Sequence, residues 1–253
     1  MHQIDHWPIF VLSLESDEAR RAPLLSSLAE MGLEAEVLIG VDGRAGLPAW
    51  AEAEVDREAA WIWENKRFLR HLTDGELACA LSHVHAYRKI VDEGLPGAII
   101  FEDDAILSGA LKHFVAVRGH QAGDMVLLGH HNTYICRFSK RRLCEGVVGH
   151  RLVASPAFAH GYSLSRFAAA YLLDRATPVR TRADWPCDIS QLKSLAADPQ
   201  IALQPADRAA QSHLEAGRRA SRLLTKQQKR ASRYMSSTYW MRILRKRLGL
   251  RIA

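Results

Sequence analysis

Residues 97–107 read GAIIFEDDAIL, an apolar run that passes straight into Glu102, Asp103 and Asp104. Unpaired carboxylates are costly to bury, so three of them closing an apolar strand call for a cation. Strand alternation places Glu102 and Asp104 on one face, about 7 Å apart, and Asp103 on the other. Two such carboxylates can share a hard divalent ion, Mg2+ or Mn2+, which completes its shell with substrate phosphates. In open α/β sheets the carboxyl ends of the strands are also where ligands bind. The chemistry expected is recognition of a diphosphate-bearing molecule. Two other readings stay open: a strand end whose acids meet solvent or arginines, and a phosphate-ester hydrolase. The hydrolase wants an aspartate nucleophile opening the pattern, where this chain has Glu102.

Hydropathy defines the elements that must position these acids. WPIFVLSL, residues 7–14, is nearly unbroken apolar sequence and reads as a buried first strand. Ser16-Asp17-Glu18 opens a helix that stops at Gly32, with Pro23 arguing for a kink or a later start. EAEVLIGVDG, residues 34–43, is a second strand ending in an Asp-Gly turn. Strand–helix–strand order favours a parallel sheet with helices on its faces. Residues 44–72 read as mostly helical or irregular. TDGELACALSHVHAYRKIVDEG is the clearest helix: Thr73 and Glu76 make a capping box, Leu77, Leu81, Val84, Tyr87 and Val91 recur at helical spacing, and Gly94 closes it. Glu76, Cys79, Ser82 and His83 lie on one stripe of that helix. DMVLLGHHN reads as a further strand, GYSLSRFAAAYLLDRA as a turn and then an Ala-rich helix, and the chain after Pro205 as helical and basic.

The charge is uneven. The chain carries +6 overall, yet residues 216–253 hold twelve Lys or Arg and no Asp or Glu, leaving 22 basic against 28 acidic residues before them. The organisation expected is one domain over residues 1–215 and a basic appendage over 216–253. In that appendage Tyr239, Trp240, Ile243 and Leu244 gather on one side of a helix with Arg242, Arg245 and Lys246 around them, the composition of an interfacial helix on anionic lipid. A solvated basic end is the plainer reading. Nucleic acid is not expected as a partner, because the body is acidic. The four cysteines form no CxxC pair, which argues for reduced thiols rather than a zinc cluster or disulfide scaffold. Neither a signal peptide nor an apolar run of about 18 residues is seen, so export and membrane spanning are not expected.

Four pieces of the chain, in order, resemble glycosyltransferase family 25, the bacterial lipooligosaccharide β-galactosyltransferases related to collagen galactosyltransferases. They are VLSLESDEARR with VDG downstream, LTDGELACALSHVHAYRKIV, GLPGAIIFEDDAIL, and HGYSLSRFAAAYLL followed by WPCDIS. Together they span residues 8 to about 215. Where many relatives carry Asn-Leu, this chain has Ser13-Leu14. The resemblance implies a GT-A fold: a Rossmann-like α/β arrangement with a mostly parallel central sheet flanked by helices. It also implies a UDP-sugar donor, commonly UDP-galactose, an Mn2+ or Mg2+ cofactor, a glycan or glycolipid acceptor, and transfer with inversion. Glu102-Asp103-Asp104 takes the place of the DxD motif, with Asp104 as metal ligand and Glu102 or Asp103 reaching ribose or metal-bound water. Ser13, Arg20, Arg21, Asp42, Glu76, Ser82 and His83 fall on the donor side, with a helix–helix salt bridge as the equal alternative for Arg20 and Arg21. His213, near Gln211, is placed to complete the metal shell.

Inversion in one step needs an acceptor hydroxyl attacking opposite the leaving UDP, with both reactants held in line. A carboxylate then takes the acceptor proton as general base. Asp188 is the candidate because relatives carry an Asp at the matching place; Asp184 competes with it locally, and capping of a helix near Ile189 is the structural alternative. His83 also reads as a satisfied structural histidine, and Cys79 as a small packing residue. The expected location is the cytoplasm, with attachment to the cytoplasmic face of the inner membrane if the acceptor is lipid-linked.

Overall fold

Strand β1 (Ile9–Ser13) is buried along its whole length, as its unbroken apolar run requires. The computed structural model describes residues 7–63, 68–205, 226–227 and 237–252. From β1 the chain runs through helix α1 (Glu18–Glu30) to β2 (Glu36–Ile39), which pairs parallel to β1 and completes the expected βαβ unit. The helix continues through Pro23, whose missing N–H forgoes one bond, and Gly32 follows its end with φ +71°. Next come α2 (Ala49–Glu52), the hairpin β3 (Trp61–Trp63) and β4 (Phe68–His71), and α3 (Asp74–Asp92). The Thr73–Glu76 capping box that opens α3 is formed, and Gly94 follows its end with φ +66°.

Strand β5 (Gly97–Glu102) leads to β6 (Ile106–Leu107), α4 (Ala110–Ala116) and β7 (Met125–Leu127). The hairpin β8 (Thr133–Cys144) and β9 (Val147–Leu152) follows, then β10 (Gly161–Ser165), α5 (Arg166–Ala176), β11 (Ser194–Asp198) and β12 (Ala202–Leu203). Beyond residue 205 the described elements are β13 (Lys226–Gln227), α6 (Ser237–Leu248) and β14 (Leu250–Ile252).

Nine strands form one sheet in the order β14-β8-β9-β11-β7-β10-β5-β1-β2. It is an α/β sheet of mixed direction: β5, β1 and β2 are mutually parallel, as are β7 and β11, and the remaining neighbours are antiparallel. Side-chain alternation divides the core between its faces. Phe10, Leu12 and Ile100 join Tyr87 of α3 and Leu172 of α5 on one side. Ile9, Val11 and Phe101 join Leu28 of α1 and Phe114 of α4 on the other. Each fully buried side chain of this size contributes about 1.5–3 kcal/mol, so both helical layers are bound to the sheet by its apolar strands.

Two readings of the sequence change. GYSLS is not a turn but strand β10, wedged antiparallel between β5 and β7. Its central Ser163 is fully buried and donates to the His120 carbonyl at 2.9 Å, so a polar residue sits in a core strand without an unmet hydrogen bond. Residues 44–72, read as helical or irregular, contain the β3–β4 hairpin. The basic C-terminal segment, for its part, supplies edge strand β14, paired with β8 through Leu250↔Ile135 and Ile252↔Thr133. Among the described residues no helix is long and apolar enough to cross a membrane.

Candidate functional site

The parallel strands β1, β2 and β5 end side by side, which brings Ser13, Asp42 and the acidic triplet to one edge of the sheet. Strand β5 stops at Glu102, and residues 103–104 form a turn. The expected alternation therefore fails: extended geometry ends one residue too early to carry Asp104 back to the face of Glu102. Asp103 and Asp104 instead share one partner. Arg20 of α1 donates from Nε to Asp103 Oδ1 and from Nη2 to Asp104 Oδ2, both at 2.7 Å. Ser13 Oγ donates to the second Asp103 oxygen at 2.9 Å. Burial pushes the Asp103 carboxyl up, and the Arg20 charge and the Ser13 and Arg20 hydrogen bonds offset this only in part. Burial works against Arg20 too, but the charges of Asp103 and Asp104 outweigh it and hold the guanidinium firmly protonated. The cation demanded by the triplet is thus supplied for two of its acids by the protein itself.

Around this clamp the loops are tied by further arginines. Arg21 Nη1 donates to the Leu14 carbonyl at 3.0 Å, fixing the turn out of β1. Asp42, at the rim, is gripped by Arg44, whose Nη2 also reaches Ser16 Oγ at 2.7 Å. Arg44 was not singled out from the sequence, although its place two residues after Asp42 is the signal that was there. The Val-Asp-Gly loop lies flat on α3. A Cβ at Gly40 would meet Ser82 Oγ at 2.8 Å, and one at Gly43 would collide with the Asp74 carbonyl.

The polar stripe of α3 serves three different neighbours. Glu76 is buried and bidentate with Arg70, at 2.6 and 2.9 Å, and takes the Thr73 N–H as well. Ser82 Oγ accepts from Val41 N and donates to the Ala78 carbonyl, both at 2.9 Å, so it clamps the β2 loop to the helix. His83 sets Nδ1 2.8 Å from the Tyr162 hydroxyl, which in turn donates to Tyr87 at 3.2 Å. Its Nε2 faces Glu102 Oε1 at 3.4 Å. Ligand atoms of Cys79, His83 and Glu102 all lie within 4.8 Å of one another, the one grouping with metal-ligand spacing among the described residues. Arg70 was missed because nothing in its local sequence marks it as buried.

Asp188 caps the short 3-10 helix Ile189–Gln191. Its Oδ1 accepts from Ser190 Oγ at 2.8 Å and from Ser190 N and Ser155 Oγ at 3.1 Å. Burial pushes its carboxyl up, but these hydrogen bonds together outweigh burial and hold it below the usual carboxylate range. Trp185, just before it, packs edge-on against Tyr162 at 5.3 Å, anchoring this segment to the ring that touches His83. Asp184 lies 4.0 Å from Arg182. His213 and Gln211 lie outside the described residues.

A hard Mn2+ or Mg2+ ion prefers an all-oxygen shell. Here Arg20 engages Asp103 and Asp104, and Glu102 shares its surroundings with a thiol and an imidazole. This donor set does not suit a hard ion, and the grouping with metal-ligand spacing is of mixed sulfur, nitrogen and oxygen type.

Residues 6–189 match glycosyltransferase family 25 (LPS biosynthesis protein). The chain is similar to the probable inactive glycosyltransferase 25 family member 3 of Rattus norvegicus, 38% identical over 96 residues that make up 38% of this chain and 17% of that protein. It is similar to procollagen galactosyltransferase 1 of Danio rerio, 32% identical over 96 residues, 38% of this chain and 16% of that protein. Procollagen galactosyltransferase 2 of Mus musculus is 31% identical over 100 residues, 38% of this chain and 15% of that protein. The aligned part of the chain thus spans about a sixth of the length of these curated relatives.

Proposed function

Because the chain belongs to glycosyltransferase family 25, we propose that it moves a sugar, galactose before others, from a UDP-sugar to a hydroxyl of a lipooligosaccharide, lipopolysaccharide or other glycan acceptor, with inversion. The observation that carries this reading is the convergence of Ser13, Asp42 and Glu102–Asp104 on the carboxyl edge of three parallel strands, with Arg20 bridging Asp103 and Asp104. That edge is where an α/β sheet takes a nucleotide.

In this reading Asp103 and Asp104 aim the Arg20 guanidinium, and Arg20, Arg21 and Arg44 set the positive field that receives the diphosphate. Preorganised donors of this kind stabilise a departing anion without reorganising during the reaction. Asp42 at the rim serves the uridine. Glu76 and Ser82 act behind the donor site by holding the loops that form it. Asp188 takes the acceptor proton: its hydrogen bonds keep it ionised at neutral pH, at some cost in basicity. The donors present do not suit Mn2+ or Mg2+, so in this reading the arginines take up the charge of the diphosphate.

The acceptor side of the reading includes a membrane surface. Helix α6 exposes Trp240, Met241, Leu244 and Leu248 beside Arg245 and Arg247. An apolar face rimmed by basic residues suits anionic lipid at the cytoplasmic face of a membrane that holds a lipid-linked acceptor.

One observation favours a second reading, a non-catalytic member of the family. Arg20 neutralises Asp103 and Asp104 internally, and the similar Rattus norvegicus protein is described as a probable inactive family member. Incubating the protein with a panel of UDP-sugars and glycan acceptors separates the two. Release of UDP, lost at least about 100-fold in Asp188→Asn with folding intact, supports transfer. UDP binding without turnover across the panel supports the second reading, and no UDP binding at all overturns the donor site.

A further inference from the structure

We propose that Cys79, His83 and Glu102 hold a divalent transition ion of the zinc class, at a site separate from the Arg20 clamp. Cys79 and His83 are four residues apart and so share one face of α3. Glu102 comes to them from the last position of β5. Two rigid elements therefore present a sulfur, a nitrogen and an oxygen, all within 4.8 Å of one another.

The state of His83 points to the ion. With the Tyr162 hydroxyl donating to Tyr87 Oη, its lone pair faces His83 Nδ1, and the tautomer that satisfies this contact carries its hydrogen on Nδ1. Nε2 then bears a lone pair. That atom is fully buried in a residue 2% exposed, and it makes no hydrogen bond. It faces the Glu102 carboxylate at 3.4 Å, which sets two acceptors against each other. A cation between them removes the conflict. The spacing suits one: in a tetrahedral shell with bonds of about 2.0–2.1 Å, nitrogen and oxygen ligands lie ~3.3–3.4 Å apart. An imidazole whose second nitrogen is fixed by an outer hydrogen-bond partner is the usual form of a metal-binding histidine.

The donors choose the ion. Thiolate and imidazole favour Zn2+ over Mg2+ or Mn2+. Three protein ligands leave a fourth position for water or an oxygen of a bound ligand, the pattern of an open rather than a structural zinc site. Cys79 and Glu102 are only partly buried, which leaves that position a path to solvent. The site stands whether or not the chain transfers a sugar.

The test is metal binding itself. Full-length protein, stripped with chelator, is titrated with Zn2+ by calorimetry and with Co2+ by absorption spectroscopy. One ion bound per chain, with a thiolate-to-cobalt charge-transfer band and the visible bands of four-coordinate Co2+, is the result expected. Cys79→Ser abolishes the charge-transfer band and weakens Zn2+ binding at least tenfold, while Cys187→Ser retains both. Tyr162→Phe removes the outer partner of His83, together with the hydrogen bond to Tyr87, leaves the three ligands in place and weakens Zn2+ by roughly 10–100-fold. Absence of stoichiometric Zn2+ binding, a spectrum unchanged by Cys79→Ser, or tighter binding of Mn2+ than of Zn2+ overturns the proposal. The first of these outcomes would leave His83 and Glu102 as a plain ion pair.

Discussion

Replacing Arg20 with Met leaves Asp103 and Asp104 side by side without their cation. Removing one partner of a buried pair costs about 3–5 kcal/mol. The Arg20 side chain keeps 25% of its exposure against 11% and 7% for the two acids, so solvent reaches the cation end and the lower part of that range applies, ~3 kcal/mol. For a chain of this size that is a fall in melting temperature of roughly 6–12 °C. The loss is pH-dependent with a definite sign. Asp103 titrates above its ordinary value in the folded protein, so its contribution is complete below the usual carboxylate range and is lost as pH rises through the folded value. Without Arg20 that value rises further, which adds destabilisation at neutral pH and none once both acids are protonated. The gap between Arg20→Met and wild type must therefore narrow as pH falls towards about 4. Urea unfolding followed by tryptophan fluorescence at neutral and acidic pH reads both quantities. A gap below about 1 kcal/mol, or one that stays constant with pH, refutes the idea that Arg20 is the counter-charge of buried acids.

Asp188→Asn keeps a capping side chain, so stability changes by no more than about 1 kcal/mol, whereas loss of a general base lowers kcat by roughly 10²–10⁴; a fall of less than tenfold leaves Asp188 with its capping role alone. Arg70→Met strands the Glu76 carboxylate and costs about 3–5 kcal/mol in urea unfolding, and adding Glu76→Gln to it restores a substantial part. Arg245→Ala weakens binding to vesicles containing anionic lipid about fivefold, the ~1 kcal/mol expected per basic residue near such a surface, and equal binding by both proteins removes the membrane reading of α6.

The fold was legible where apolar residues run without interruption. The strand at residues 9–13 and the helix closed by Thr73 and Gly94 carry both their periodicity and their punctuation locally. Strand β10 was not, because Ser163 breaks the apolar count and its hydrogen bond to the His120 carbonyl is made across 43 residues of chain. Strand β8 shows the opposite difficulty. Its middle, residues 137–142, is largely exposed and rich in arginine and lysine, so hydropathy gives no hint that it belongs to the main sheet. Burial decides such segments, and burial depends on partners distant in sequence.

The acidic triplet announced a need for positive charge but not where the charge would come from. Arg20 lies 83 positions before Asp103, and only the packing of α1 on the sheet brings the two together. Once they meet, the three acids stop being equivalent. Arginine stays protonated throughout the accessible pH range, so its neutralisation of Asp103 and Asp104 is permanent and belongs to the fold. Glu102 is turned instead towards Cys79 and His83. The division has a thermodynamic consequence. On the proposed zinc-class site, a chelator that strips the ion reaches only Glu102 among the three acids, so it should shift melting only by the linkage of ion binding, about RT ln(1 + [L]/Kd), and leave the Arg20 clamp closed. A sequence that had placed all three carboxylates on one ion would instead lose the sheet edge together with the metal.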